Sequence, residues 1–522
     1  MVDRVELFDT TLRDGAQTEG VSFSTEDKLD ILRRLDAFGI DFVEGGFPAS
    51  NPKDKAFFKA AQKETLQNAE LVAFGSTMKA GVSVEQDATL RSLLDSGTEY
   101  VAIFGKSWDL QVEKALQIPL QENIRIVNDS ISHLHSKGKK VIFDAEHFFD
   151  GWKQNHDYAL DVLKVAEEAG ACYLVLCDTN GGSLPSEIMR AVEEVSKLCD
   201  VPLGIHAHND AELAVANSLA AVDAGAVMVQ GTINGLGERC GNANLCSIIP
   251  ALTLKMGRTT NVMDLVGLTA LSGFIGEVAN IMPDQHSPYV GKSAFAHKGG
   301  MHVSAVMKEP RTYEHIEPAL VGNSRRVLIS ELSGTSSIVA KAKELGIDEG
   351  MDKGRSILDQ LKHLEAQGFQ FEAAEASFEL LLRRLKGENH QPFKLEGFRI
   401  FVDVSGDTMR SEASVKVVDP NGVVEHTASD GNGPVNALDK ALRKALERFY
   451  PELQHVRLID YKVRVIDARA ATEATVRVLM RSTDGAMTWT TVGVSSNIIE
   501  ASLMALIDSL EYKLLKMQDG GK

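Results

Sequence analysis

The sequence predicts an α/β protein: a (β/α)8 TIM barrel, then small helical linker subdomains, then a C-terminal α+β domain of two βββα repeats. Three observations carry this. From residue 5 to about 234, eight short apolar strands alternate with amphipathic helical patterns, the count and size of such a barrel. Polar residues gather at the C-terminal ends of those strands, the face on which barrels present ligands. Beyond about residue 390 a pattern of three strands and a helix occurs twice.

The predicted barrel strands are 5–10, 42–47, 71–76, 99–105, 140–147, 172–178, 202–208 and 227–234. Between the first two, Leu29, Ile31, Leu32 and Leu35 recur at helical spacing behind a Ser24-x-x-Asp27 capping-box start. A doubly wound open sheet is the runner-up, but it usually has fewer strands and a Gly-rich loop after the first; no such loop follows Asp9. Residues 276–330 are mixed and loop-rich, and 336–385 read as two or three helices, with Ile338, Ala342 and Leu345 in one apolar stripe and Phe378, Leu381 and Leu382 in another. Lys386 to Gly397, with its glycines, Asn389 and Pro392, reads as a linker. Strands at 398–404, 413–418 and 422–427 precede a helix at Val435–Phe449; strands at 455–466, 473–481 and 487–494 precede another at Ile498–Leu515. The expected domains are 1–275 (barrel), 276–330 and 331–390 (linker subdomains I and II) and 391–522 (a binding or dimerising domain, since it gathers no catalytic residue types).

Composition narrows the classes. The 522 residues exceed one ordinary core, and 44% apolar with 25% charged residues is ordinary globular chemistry. A formal charge of −18 argues against nucleic acid or an anionic membrane as partner, though an anionic small molecule needs only a few local cations. Without a basic-then-apolar leader or a membrane-length apolar run, a soluble cytoplasmic protein is expected. Five scattered cysteines read as reduced, buried thiols.

The candidate site is built on two stretches. Glu6-Leu7-Phe8-Asp9-Thr10-Thr11-Leu12-Arg13-Asp14-Gly15 places a fixed cation beside a carboxylate just past a strand end. In Gly204-Ile205-His206-Ala207-His208 the two imidazoles, at i and i+2 of a strand, face one side. If this strand and the first neighbour each other around a closed barrel, Asp14, His206 and His208 form a metal site of one carboxylate and two histidines, with open positions for a bidentate ligand such as a 2-keto acid. Arg13 would then stabilise charge developing on the ketone oxygen. Glu44 and Glu146 read equally as mouth ion pairs or as acting groups, and Thr179 as a turn cap or a ligand contact. On sequence alone His302 and Tyr313 are ordinary structural residues, and Cys240 a small buried one.

Asp9-Thr10-Thr11-Leu12-Arg13-Asp14-Gly15, His206-Ala207-His208 and Gly237-Glu238-Arg239-Cys240-Gly241-Asn242 together resemble the DRE-TIM metallolyase superfamily, and within it the 2-isopropylmalate, homocitrate and citramalate synthase group. The resemblance spans nearly the whole chain, including the linker segments Gly300-Met301-His302 and Thr312-Tyr313-Glu314. It implies one divalent ion (Mg2+, Mn2+ or Zn2+) on Asp14, His206, His208 and Asn242. Arg13 would polarise the keto oxygen, Thr179 would contact the keto-acid carboxylate, and Gln17 and Phe104 would join the substrate site. Glu146 would sit over the reacting carbons, and Glu238, His302 and Tyr313 would serve proton transfer and water activation. The last two would reach the barrel of a second subunit, implying a homodimer.

The implied reaction is a Claisen-type condensation of acetyl-CoA with a keto acid. Phe104-Gly105-Lys106-Ser107-Trp108 and Asp178-Thr179-Asn180-Gly181-Gly182 depart from the isopropylmalate synthase pattern. The bulk of Phe104 and Trp108 favours pyruvate over 2-oxoisovalerate, and hence citramalate as product, with isopropylmalate or homocitrate synthesis as alternatives. A lyase like hydroxymethylglutaryl-CoA lyase is a further alternative, but its Gly-Cys-Pro loop is replaced here by Gly237 to Asn242. A non-catalytic amino-acid sensor that kept the barrel is another. Isoleucine is the expected feedback inhibitor at the C-terminal repeats.

Overall fold

The computed structural model describes residues 3–329, 334–345, 351–387, 391–405, 408–467 and 474–520. It falls into two compact units, Met1–Phe295 with Ile316–Ser324, and Ala296–His315 with Arg325–Lys522.

The first unit is a closed parallel barrel of β1 (Glu6–Asp9), β2 (Phe42–Gly46), β3 (Glu70–Ser76), β4 (Tyr100–Lys106), β5 (Lys140–Glu146), β6 (Ala171–Asp178), β7 (Leu203–Ala207) and β8 (Met228–Gly231). The strands are apolar on both faces because both are buried. Phe8, Phe42, Val72, Ala102, Ile142, Val175 and Met228 fill the interior, while their neighbours Leu7, Val43, Ala73, Val101, Val141, Leu174 and Val229 join the core shared with the helices. The Ser24 hydroxyl accepts from Asp27 N while the Asp27 carboxylate accepts from Ser24 N, the capping box read from the sequence.

Two expectations need correction. β7 and β1 are not neighbours: β8 pairs with both and stands between them. β8 also ends at Gly231, short of residue 234, because Thr232 N donates to Ala243 O (3.0 Å), outside the barrel ladder. The chain then turns through Asn234 at φ +63°.

In the second unit β9 (Ala296–His297) pairs in parallel with β10 (Arg326–Val327). Helices Thr335–Glu344, Met351–Ala366 and Glu375–Lys386 follow, and Ile338, Ala342, Leu361, Phe378 and Leu382 share a core with Val492 and Val494. The predicted linker is partly strand, since β11 begins at Lys394; its residues 388–390 lie outside the described residues. The repeat is borne out. β11 (Lys394–Ser405), β12 (Thr408–Val418) and β13 (Val424–Gly431) form one antiparallel sheet followed by helix Pro434–Leu446. β14 (Arg457–Val465), β15 (Val476–Thr483) and β16 (Thr488–Ser495) form the other, followed by helix Ile498–Gly520. Residue 473, where a strand was predicted to begin, lies outside the described residues. Val415, Val417 and Leu442 of the first repeat and Val478, Met480 and Leu506 of the second lie in one core: neither three-stranded sheet buries its apolar face alone.

Candidate active site

The barrel's period-2 alternation continues above the apolar interior as polar side chains. Two residues beyond Ile142 stands Asp144, and beyond Met228 stands Gln230. Their side chains meet: Gln230 Nε2 donates to Asp144 Oδ1 at 3.1 Å, and Gln230 Oε1 lies 2.8 Å from His206 Nδ1. Asp14 is delivered by the tight turn after β1, where the amides of Arg13, Asp14 and Gly15 all donate to Thr10 O at 2.8–3.1 Å. The Asp9 carboxylate braces that turn by accepting from Thr11 N and the Thr11 hydroxyl.

Asp14, His206 and His208 converge with their ligand atoms within 4.8 Å of one another, all three buried. His206 Nε2 lies 3.4 Å from both Asp14 Oδ2 and His208 Nε2. Asn242 is tied to His208 by a β-bridge, its Nδ2 donating to Leu236 O. A Cβ on Gly237, at φ +156°, would lie 2.1 Å from that nitrogen, so only glycine leaves room for it. Asn242 Oδ1 and His208 Nδ1 are buried without a hydrogen-bond partner. Two imidazole nitrogens, a carboxylate oxygen and an unpaired amide oxygen are a donor set that fits a divalent ion.

Electrostatics agree. Burial would raise the Asp14 carboxyl, but the Arg13 guanidinium and His206 override it and hold Asp14 far below the ordinary carboxylate range. Burial and the neighbouring His206 push His208 down to about 3, leaving a neutral imidazole. Against its own burial, the bond to Asp14 raises His206; an ion competes there with one proton. Asp144 is pushed up to about 7 by burial and by Glu44.

Arg13 is fixed on three sides. Its Nε donates to Glu44 Oε2 at 2.5 Å, its Nη1 lies 3.3 Å from Asp14 Oδ2, and its guanidinium carbon covers the Phe74 ring at 3.8 Å. Phe74 in turn stacks on Phe104, with centroids 5.4 Å apart and planes at 24°. Lys106 pairs with Glu146, so both glutamates weighed from the sequence, Glu44 and Glu146, make mouth ion pairs. Thr179 Oγ1 accepts from His147 N at 2.9 Å, which leaves the hydroxyl hydrogen to donate elsewhere. Arg239, at φ +55°, donates to Thr179 O and grips Asp210 with two nitrogens.

The barrel unit thus contains Arg13, Asp14, Gln17, Phe104, Glu146, Thr179, His206, His208, Glu238 and Asn242. Gln17 lies exposed on the short 3-10 turn after Asp14, and Glu238 exposed on the loop after β8. His302 and Tyr313 belong to the second unit, where their rings stack 4.2 Å apart and both are exposed. Cys240 is exposed, correcting the expected burial. Sequence reasoning missed Gln230, Asp144, Lys106 and Phe74. Asp144-x-Glu146 and Phe104-x-Lys106 share the i, i+2 spacing of the two histidines, and an amide inside apolar Val227–Thr232 needs a partner.

A closed barrel with one carboxylate, two imidazoles and an arginine at its mouth defines the class: the family model described as HMGL-like matches residues 4–275. Those for the homocitrate synthase post-HMGL domain-like segment and the LeuA allosteric (dimerisation) domain match 289–368 and 372–514. The chain is 54% identical to the (R)-citramalate synthase of Geobacter sulfurreducens over 99% of this chain and 98% of that one. It is 53% identical to that of Aquifex aeolicus over the full length of both. To the probable 2-isopropylmalate synthase of Methanopyrus kandleri it is 34% identical, over 99% and 100%. The chain belongs to the (R)-citramalate synthase family, within the wider group that the three barrel motifs implied. No described helix is long and apolar enough to cross a membrane.

Proposed function

We propose that the protein condenses pyruvate with acetyl-CoA and water to (R)-citramalate and CoA, the first step of a pyruvate route to isoleucine. The reading rests on one observation, the barrel mouth that sets Arg13 beside the Asp14, His206 and His208 cluster and against an aromatic wall. The relatives named (R)-citramalate synthase support it.

A divalent ion (Mg2+, Mn2+ or Zn2+) on Asp14, His206, His208 and Asn242 supplies Lewis acidity toward the keto acid. Arg13, held by Glu44, meets negative charge developing on the ketone oxygen without having to reorient. Thr179 donates its free hydroxyl hydrogen to the keto-acid carboxylate. The bulk of the stacked Phe74 and Phe104 rings favours a methyl substituent over a larger one. Glu146, fixed by Lys106, stands over the reacting carbons. Gln17 orients the substrate. Glu238, with His302 and Tyr313 from a second subunit, takes the proton from the acetyl methyl and activates the water that cleaves the thioester. That hydrolysis makes the sequence irreversible.

The same reading makes the protein a cytoplasmic homodimer that binds isoleucine on its C-terminal repeats, organised as 1–275, 276–330, 331–390 and 391–522. Matches at 4–275, 289–368 and 372–514 support that division. A thiol-release assay across pyruvate, 2-oxoisovalerate and 2-oxoglutarate tests the substrate: pyruvate is expected to turn over fastest. Fastest release with 2-oxoisovalerate would move the reading to isopropylmalate synthesis, and undiminished turnover after chelator dialysis would remove the metal.

A further inference from the structure

The two stretches in which this chain departs from the isopropylmalate synthase pattern, Phe104 to Trp108 and Asp178 to Gly182, lie at the ends of β4 and β6, yet both bear on one residue. The Trp108 ring packs against the imidazole of His147, with centroids 5.4 Å apart and planes at 46°. From the other side Asn180 Nδ2 donates to Asp150 Oδ2 at 2.9 Å, and that same oxygen lies 3.1 Å from His147 Nδ1. A carboxylate oxygen only accepts, so Nδ1 carries the hydrogen and Nε2 accepts from the Gln111 amide at 3.3 Å. The ring is buried and held at both nitrogens.

What this grip fixes is backbone. His147 stands at φ +60° and ψ +30° between β5 and helix Phe148–Gln154, a left-handed conformation that a residue with a Cβ adopts at a cost and keeps only where its surroundings impose it. From there His147 N donates to Thr179 Oγ1 at 2.9 Å. Thr179 O accepts from Arg239 Nη2 at 2.7 Å, so both oxygens of Thr179 have fixed partners and the hydroxyl hydrogen is left to donate. The adjoining turn is closely packed: Ser107 N and the Ser107 hydroxyl both donate to Glu146 O, at 3.1 and 2.8 Å, and a Cβ on Gly151 would lie 2.3 Å from Ser107 O.

We infer that His147 is a positioning residue for the keto acid. By holding a left-handed turn it occupies the accepting side of the Thr179 hydroxyl and turns the hydrogen toward the substrate carboxylate, and Trp108 and Asn180 act on the keto acid through it. The inference rests on the proposed condensation for the contact between Thr179 and that carboxylate. A hydroxyl whose rotation is set before binding loses no orientational freedom when the ligand arrives. The two departures from the isopropylmalate synthase pattern are then one device, because each secures the same imidazole.

Calorimetry of pyruvate binding to the Mn2+-loaded full-length enzyme, without acetyl-CoA, tests it through a double-mutant cycle. Thr179→Val and His147→Ala are each expected to weaken pyruvate by about tenfold, and together by no more than either alone, because both remove one aimed hydroxyl. Steady-state kinetics should show the same rise in KM for pyruvate and no change in KM for acetyl-CoA. His147→Asn, which admits the left-handed backbone and keeps the N–H, should restore pyruvate affinity to within about threefold of the unaltered enzyme. Should His147→Ala not fold, Asn180→Ala, at an exposed position, carries the cycle with an expected loss of about threefold that vanishes beside Thr179→Val. Additive losses, unchanged affinity in His147→Ala or Asn180→Ala, an equal rise in KM for acetyl-CoA, or His147→Asn binding no better than His147→Ala would each overturn the inference. A coupled cycle with no thiol release from any keto acid would sink the condensation reading alone. Pyruvate affinity unaffected by Thr179→Val, or no pyruvate binding at all, would remove the Thr179 contact on which both rest.

Discussion

Replacing Gln230 by leucine removes one hydrogen-bonding side chain and changes little volume, in a position with no solvent exposure. Above about pH 7 Asp144 is ionised, and its oxygen can only accept. The Gln230 amide nitrogen therefore faces Asp144 and the amide oxygen faces His206 Nδ1 at 2.8 Å. Nδ1 then carries the hydrogen, and Nε2 is the nitrogen turned toward Asp14 and His208. In Gln230→Leu that N–H is buried without an acceptor, at a cost of about 1–3 kcal/mol, and the ring loses the contact that sets its tautomer. Loss of such a partner typically weakens a metal about 10–100-fold, or about 1.4–2.7 kcal/mol. Calorimetric Mn2+ titration at pH 8 measures the affinity and urea unfolding of the metal-free protein measures the stability; both should fall. An Mn2+ affinity equal to that of the unaltered protein would refute the tautomer argument, whatever happened to turnover.

Phe104→Val widens the aromatic wall, and the ratio of kcat/KM for 2-oxoisovalerate over pyruvate should rise by about 1–3 kcal/mol of discrimination; an unchanged ratio would remove Phe104 from the pocket. Burial raises the Asp9 carboxyl from 3.8 to about 7, so the native state holds a proton that the unfolded chain has lost. Stability should therefore fall as pH rises from about 4 to about 7, and Asp9→Asn should flatten that slope in urea midpoints taken at pH 5 and 8. Asp144 acts in the same direction, so part of the slope should survive. In the second unit, buried Glu314 accepts from Arg325 Nε (2.7 Å) and Nη2 (2.5 Å) and lies 3.0 Å from His297 Nε2. Glu314→Ala leaves half-buried Arg325 without its anion and should cost about 1–3 kcal/mol by thermal or urea unfolding; a loss under about 0.5 kcal/mol would show that the cluster is solvated.

The half of the site that depends on local geometry was legible in the sequence. His206 and His208 share a face because side chains alternate along any strand, and Asp14 follows Arg13 past a strand end whatever the strand's partners are. The Ser24 cap and the eight apolar runs were read for the same reason. The expected adjacency of β1 and β7 failed because strand order is a property of closure: β8 supplies the neighbour on both sides. β8 was read three residues too long because the pairing of Thr232 with Ala243 competes with the barrel ladder, and no propensity in Val227–Asn234 reports it. The exposure of Cys240 depends on how its loop lies over the barrel end.

The chain's own order of residues determined which groups stand at strand ends, which face they share, and that two βββα segments repeat, because these follow from backbone periodicity within a few residues. Tertiary structure alone decided that Gln230 of β8 and Asp144 of β5 meet behind His206, that Phe74 lies under Arg13, and that Lys106 answers Glu146. Those encounters join residues from 24 apart in the chain, at His206 and Gln230, to 86 apart, at Asp144 and Gln230. They exist only once the register of a closed barrel brings the inward positions to one height, where an unpaired buried polar group would otherwise cost more than the fold can spare.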